Sequence, residues 1–271
     1  MMKNYFGFMI LGFVLVLALN KCENSENTDT ATGSLLIQAF DAPFEGNVQH
    51  IYLNITEVSV HKAVADSSAD SSATWIVLSE LDTTIDFLDL VNGEMAALIE
   101  EDLEVGQYSQ LRLMLGDSSA IVVDGTSYSL KVPSGSESGV KLNLGFFINP
   151  DEIIEIYLDF DAARSINKHP VQDKYSLQPT FRVFKSVLSG TIAGAVYDTT
   201  GAGMEDIVIQ AISNGDTVST LSSESGLYQL ILLEGAYTLE ADGFELMADT
   251  SYSAISLAAG DHLSDYDFVM E

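Results

Sequence analysis

Residues 153–162 read IIEIYLDFDA, and within them Asp159 and Asp161 stand two positions apart. On a strand that spacing sends both carboxylates to one face, with Glu155 and Tyr157, while Ile154, Ile156, Leu158 and Phe160 point to the other. Carboxylates so placed can chelate a hard cation such as Ca²⁺ if loop oxygens complete about six to eight ligands. Asp41 and Asp124 lie in turn sequences and could contribute, so Asp159, Asp161 and Asp41 form the candidate metal site, with Ca²⁺ the one cofactor considered. The competing use of Asp159 and Asp161 is ion pairing with Arg112, Arg164 or Arg182. No loop carries the spaced D-x-D-x-D pattern of a dedicated calcium loop.

Other chemistry-bearing groups are sparse. Gly116-Asp117-Ser118 resembles the nucleophile block of a family of lipid and sugar esterases, but no Asp-x-x-His follows and the chain shows no βα alternation. An Asp-Ser-Ser turn accounts for the triplet without catalysis. His50, His61, His169 and His262 are scattered, with no H-E-x-x-H spacing, and His61 reads as a polar residue at a strand end. Trp75, the single Trp, sits beside Ile76 and Val77 and reads as core; the alternative is a glycan-binding surface shared with tyrosines. Without a nucleophile–base signature the sequence points away from an enzyme.

The elements that must position these groups follow from composition and pattern. Of 271 residues, 40 are Asp or Glu and 11 are Lys or Arg, a net charge of -29, which excludes a generic nucleic-acid binder because nothing would neutralise a phosphate backbone. Lys3 precedes an apolar run over residues 5–19, short for a membrane span and suited to a secretory signal. Cys22 follows, the only Cys, so no internal disulfide can form. Residues 23–32 hold no apolar side chain larger than Ala and read as a tether.

From residue 33 to about 185 the dominant signal is period-two alternation: Ile51, Leu53 and Ile55; Val140, Leu142, Leu144 and Phe146; Ile154, Ile156, Leu158 and Phe160. Asp41-Ala42-Pro43, Asn92-Gly93, Asp124-Gly125, Pro133-Ser134-Gly135 and Asn149-Pro150 punctuate these runs as turns. Residues 94–104 (EMAALIEEDLE) have the one strong helical propensity and predict a short helix or a helical turn. Past residue 185 the composition changes. Residues 186–271 carry 14 acids and no Lys or Arg, against 23 acids and 9 bases in residues 33–185. Short strands are expected there at 191–197, 207–212, 217–221, 228–233, 236–241 and 266–270. The reading is all-β, with two β-sandwich domains at 33–186 and 188–271, each able to fold on its own, behind a signal at 1–21 and a tether at 22–32.

Three resemblances extend this reading. A sole Cys directly after a signal core resembles a bacterial lipoprotein attachment site, which implies acylation of Cys22, a membrane partner through lipid and a place in the cell envelope, periplasmic or on the outer-membrane surface. Gly194-Ala-Val-Tyr-Asp198, Gly203, Val208, Ser225-Gly-Leu-Tyr228 and Leu233-Glu-Gly-Ala-Tyr237 resemble the carboxypeptidase regulatory-like, transthyretin-like domain, which implies a noncatalytic module. Asp41-Ala-Pro43, Trp75, Asn92-Gly93, Gly106-Gln-Tyr108, Asp124-Gly125, Ser138-Gly-Val-Lys141, Leu158-Asp-Phe-Asp161 and Leu177-Gln-Pro179 resemble, in that order, the DUF4382 family of bacterial lipoproteins, which implies an ectodomain of unassigned activity. Leu103 to Tyr108 and Leu233 to Tyr237 also echo each other, each placing an acid and a Gly before a strand Tyr. The expected role is a noncatalytic binding, adhesion or scaffold module with a protein or glycan ligand. An envelope hydrolase, or an accessory subunit of transport or glycan processing, is the alternative.

Overall fold

Alternating runs become strands here because each has a second sheet to cover its apolar face. The computed structural model describes residues 30–41, 47–63, 75–132, 138–170, 174–243, 246–247 and 251–271; Cys22 and the signal lie outside them. In the first sandwich the strands are β1 (Thr32–Asp41), β2 (Val48–Lys62), β3 (Trp75–Asp86), β4 (Ala96–Glu104), β5 (Gly106–Leu115) and β6 (Ala120–Val123). They continue with β7 (Thr126–Lys131), β8 (Val140–Ile148), β9 (Ile153–Phe160), β10 (Ile166–Lys168), β11 (Tyr175–Leu177) and β12 (Phe181–Lys185). One sheet has the order β12-β9-β1-β4; the other runs β10-β11-β7-β6-β2-β5-β8, with β3 paired to β2. Leu35, Ile37, Leu53, Ile55, Leu111, Leu113, Ile156, Leu158 and Phe160 come from both sheets into one buried core.

Residues 96–104 are strand β4, not the helix their propensity predicts. Antiparallel pairing with β1, from Thr32 opposite Glu104 to Ala39 opposite Ala96, gives the segment a full ladder and buries Leu98, Ile99 and Leu103. Intrinsic helix preference is worth only tenths of a kcal/mol per residue, and tertiary burial overrides it. A register shift between Ile37 and Gln38 lets the consecutive Leu98 and Ile99 both face inward, which breaks the alternation the sequence would otherwise have shown.

A single 3₁₀ turn, Ser186–Leu188, leads from β12 into the second sandwich. Its strands are β13 (Ser189–Asp198), β14 (Val208–Ser213), β15 (Asp216–Leu221), β16 (Leu227–Leu233), β17 (Gly235–Gly243), β18 (Leu246–Met247), β19 (Tyr252–Leu257), β20 (His262–Leu263) and β21 (Phe268–Met270). They form the sheets β16-β13-β20, with β21 on β13, and β15-β14-β17-β18, with β19 on β17. Ile192, Val196, Ile209, Tyr228, Leu230, Leu239 and Phe268 make a second, separate core.

The echoed motifs do the same job twice. Tyr108 Oη donates to the Glu104 carbonyl at 2.9 Å, and Tyr237 Oη donates to the Leu233 carbonyl at 2.8 Å, each tying a strand Tyr to the corner four residues upstream. In the second sandwich Gly194 is required by close approach, since a Cβ there would meet the Tyr266 carbonyl oxygen at 2.2 Å. Asp198 closes the next turn by accepting from the Thr200 and Ala202 amides and the Thr200 hydroxyl, and these hydrogen bonds hold its carboxyl below the usual range.

Candidate functional seam and outer face

Residues 31–271 form one compact unit, so the two sandwiches meet. The contact is built on strand β9 and its neighbours. Parallel pairing sets Phe40 beside Asp159 and Asp41 beside Phe160, so Asp159 shares the face of Phe40 and Asp41 the face of the core residue Phe160. Although the register offsets them by one position, Asp41 and Asp159 are both buried and both line a small cavity beside Phe40. The face of Phe40 is covered as well: Phe40, Phe184 and Ile231 of β16 form a third apolar cluster, with Leu90, Met95 and Tyr157 packed on it.

Asp159 is buried beneath this cluster. Its Oδ2 accepts from Arg182 Nη2 at 2.5 Å, and Arg182 lies directly across the β12–β9 ladder. Oδ1 has no hydrogen-bond partner among the described residues. Burial pushes the carboxyl up to about 7; Arg182 pulls it down, Asp161 pushes it up again, and burial wins. Asp161 turns elsewhere. It caps the short helix α1 (Ala162–Ser165), accepting from the Arg164 amide at 2.9 Å and pairing with the Arg164 guanidinium at 3.5 Å. Ion pairing thus engages Asp159 and Asp161 with two of the three arginines considered, and the third, Arg112, pairs with Glu57 at 2.8 Å. Among the described residues no three His, Cys, Asp or Glu side chains gather closely enough to hold a metal ion.

The polar fastening of the seam is Asn92, which the sequence marked only as a turn. Asn92 and Gly93 both have left-handed backbone, φ 60° and 82°, and together turn the chain toward the second sandwich. Asn92 N donates to Thr220 Oγ1 at 2.8 Å, Asn92 Nδ2 to the Leu227 carbonyl at 3.3 Å, and Gln229 N to Asn92 Oδ1 at 2.7 Å. The side-chain amide thereby takes up backbone groups on the open edge of β16. Arg164 adds an exposed ion pair across the seam to Asp216 at 3.5 Å. Phe40, Leu90, Asp159, Thr220, Gln229 and Ile231 enclose a cavity of about 10 Å³, the size of one water. Beside it opens a groove of about 250 Å³ lined by Met95, Glu155, Tyr157, Gln229, Ile231 and His262.

The remaining candidates are distributed over the surface. Gly116 to Ser118 form the turn between β5 and β6, whose neighbour Ser119 is buried and accepts from the Asn54 amide at 3.0 Å. Asp124, left-handed at φ 50°, makes the turn between β6 and β7. His50 Nδ1 lies 2.5 Å from Asp86, a pair with no sequence signature because 36 residues separate its members. His61 Nδ1 lies 2.8 Å from Ser109 Oγ, and His262 Nδ1 lies 2.9 Å from Thr191 Oγ1.

Trp75 is not a core residue. It lies on the outer face of β3, with the Arg112 guanidinium 4.5 Å and the Lys141 ammonium 5.9 Å from its ring centroid, and with His61 edge-on at 5.4 Å. Alternation explains the outcome: Ile76, the next residue, turns inward to the first core while Val77 is 47% exposed.

Residues 32–179 match the family described as Domain of unknown function (DUF4382). Comparison with curated proteins finds no match. Among solved structures, the Bacillus anthracis TIE protein is 12% identical with a TM-score of 0.28, over 89% of this chain and 34% of that one, so the chain spans about a third of that protein's length. The shaft pilin SpaA from Lactobacillus rhamnosus GG is 10% identical, TM-score 0.25, over 89% of this chain and 97% of the pilin. The minor pilin of Streptococcus agalactiae is 9% identical, TM-score 0.25, over 87% and 96%.

Proposed function

The chain belongs to the DUF4382 family, whose description names no activity, and from that premise we propose that it is a noncatalytic binding and scaffold module of a bacterial cell envelope. The observation that carries this reading is the fastened seam. Asn92 is hydrogen-bonded into the β15 and β16 strands of the second sandwich, and Phe40, Phe184 and Ile231 close over it, so two sandwiches act as one rigid body presenting its outer sheet faces. The polar groups buried along the seam serve that junction. The second sandwich is read as a carboxypeptidase regulatory-like, transthyretin-like module. Its motif residues Gly194, Asp198 and Tyr237 have backbone and turn roles, which suits a module without chemistry of its own.

Asn92→Ala tests the seam. The variant loses side-chain hydrogen bonds and strains a left-handed position, so a loss of about 2 kcal/mol is expected. Hydrogen exchange in urea, read separately on peptides of β5 and β14, should show one joint opening in the wild type and two separate openings in the variant. Independent opening of the two sandwiches in the wild type would remove the basis for a rigid scaffold.

Attachment is the second element of the proposal. Lipid on Cys22 would hold the module at a membrane, stably if two or more acyl chains are added and only marginally with one. Cys22→Ser is expected to move the protein from the membrane to the soluble fraction or to leave it unprocessed. Mass spectrometry of native protein cleaved elsewhere and free of lipid would exclude the anchor.

A further inference from the structure

Four neighbouring strands, in the order β3-β2-β5-β8, turn a connected polar and aromatic face outward. Trp75 and Val77 come from β3, His61 from β2, Gln110 and Arg112 from β5, and Lys141 and Asn143 from β8. The ladder registers set them in rows: Trp75 beside His61, His61 beside Gln110, Gln110 beside Asn143, and Arg112 beside Lys141. The indole reaches across β2, since the guanidinium of β5 and the ammonium of β8 both lie within 6 Å of its centroid, at 4.5 and 5.9 Å. Neighbouring strands are spaced about 4.8 Å apart, so the row spans about 14 Å, a length suited to an oligosaccharide rather than to one sugar ring.

We infer that this face binds an acidic polysaccharide, with Trp75 stacking on a sugar ring and Lys141 receiving its carboxylates. Three features favour that ligand. First, charge: the chain carries 40 acids against 11 bases, yet two cations and an imidazole meet around its single Trp. Lys141 is exposed and makes no ion pair among the described residues, so its charge is available to a ligand anion. Second, chemistry: beside Val77 and the Glu57 carboxylate paired to Arg112, the face offers side-chain amide and imidazole, with Gln110 Nε2 donating to Asn143 Oδ1 at 2.7 Å and His61 at 2.8 Å from Ser109 Oγ. These are donors and acceptors for hydroxyls set beside an aromatic ring that is apolar on its face. Third, backbone: Trp75 and Arg112 meet over β2 and β5, which are paired on both sides, so a peptide adding a strand could do so only at the outer edges of β3 or β8, beside the face and not across it. Arg112 is held in place by Glu57 at 2.8 Å and Ser59 Oγ at 3.0 Å, which pre-organises the cation under the indole.

This inference deepens the reading of the chain as a binding module, and the two fail separately, because the seam is tested by unfolding and this face by ligand titration. Trp75 is the sole Trp, so indole emission of the full chain reports on the site directly. Oligogalacturonate is the probe, with a neutral glucan of equal length and poly-glutamate as comparisons. A saturable change in emission with oligogalacturonate is expected, weakening as salt is raised. Lys141→Gln should weaken it roughly tenfold, without altering the melting temperature. Lys131→Gln, an exposed lysine of β7 outside the face, should leave it unchanged. No saturable response, an equal response to the neutral glucan, or an undiminished response in Lys141→Gln would overturn the inference. A response to poly-glutamate without one to oligogalacturonate would also overturn it and give the face to an acidic protein.

Discussion

Replacing Arg182 with Met is expected to destabilise the folded chain by about 3–5 kcal/mol near pH 8, because it strands a buried carboxylate without its partner. Asp159 is 2% exposed, and Arg182 is its one ion-pair partner among the described residues. Near pH 5 the same variant should lose far less. Burial raises the folded carboxyl from 3.8 to about 7, so the folded state keeps a proton that the unfolded chain releases between those values. The stability contributed by Asp159 is therefore fully present below pH 3.8 and is lost as pH rises through about 7. Without Arg182 the carboxyl shifts further up, and the penalty appears on the alkaline side. Urea midpoints of both proteins at the two pH values measure this; an equal penalty at each would refute the assignment of the titrating group. Replacing the pair together, Asp159→Leu with Arg182→Met, should recover most of the loss.

Phe160→Ala should cost about 3–5 kcal/mol through the cavity it leaves in the first core. The ring is fully buried, 5.0 Å from Phe87 and 5.1 Å from Phe181 between centroids. Its neighbour Asp159 faces the seam, so the two consecutive residues hold the first core and the junction respectively. With the seam intact, hydrogen exchange should show peptides of β14 losing protection along with those of β5, although β14 is in the other sandwich. Loss confined to the first sandwich would mean that the seam transmits nothing.

Much of this architecture was legible in the sequence. Alternation at Ile51, Leu53 and Ile55, and at Ile156, Leu158 and Phe160, predicts strands because a half-buried strand has no other way to sort its side chains. The segment 94–104 misled because its apolar residues are also helix formers, and a bulge at Leu98, within the segment itself, hid its period. Trp75 misled because its neighbours Ile76 and Val77 are apolar, although a strand sends adjacent residues to opposite faces. The least legible feature was the seam. A period-two pattern cannot distinguish a face turned to water from one turned to a second domain when both carry Asp, Glu and Tyr, as β9 does. Asn92-Gly93 announces a turn, but nothing local says that the turn meets a strand more than a hundred residues later.

The placement of Asn92 has a consequence for how the chain survives its own synthesis. Strand β16 ends its sheet, and its unpaired backbone together with exposed Leu227 and Leu233 is the kind of edge on which another molecule can grow a strand. Asn92 occupies part of that edge, and it precedes β16 in the chain by 135 residues, measured to Leu227. A polypeptide that emerges amino end first therefore has its guard made before the strand that needs guarding, whereas a fragment holding only the second sandwich would bare the edge and be the more prone to aggregate.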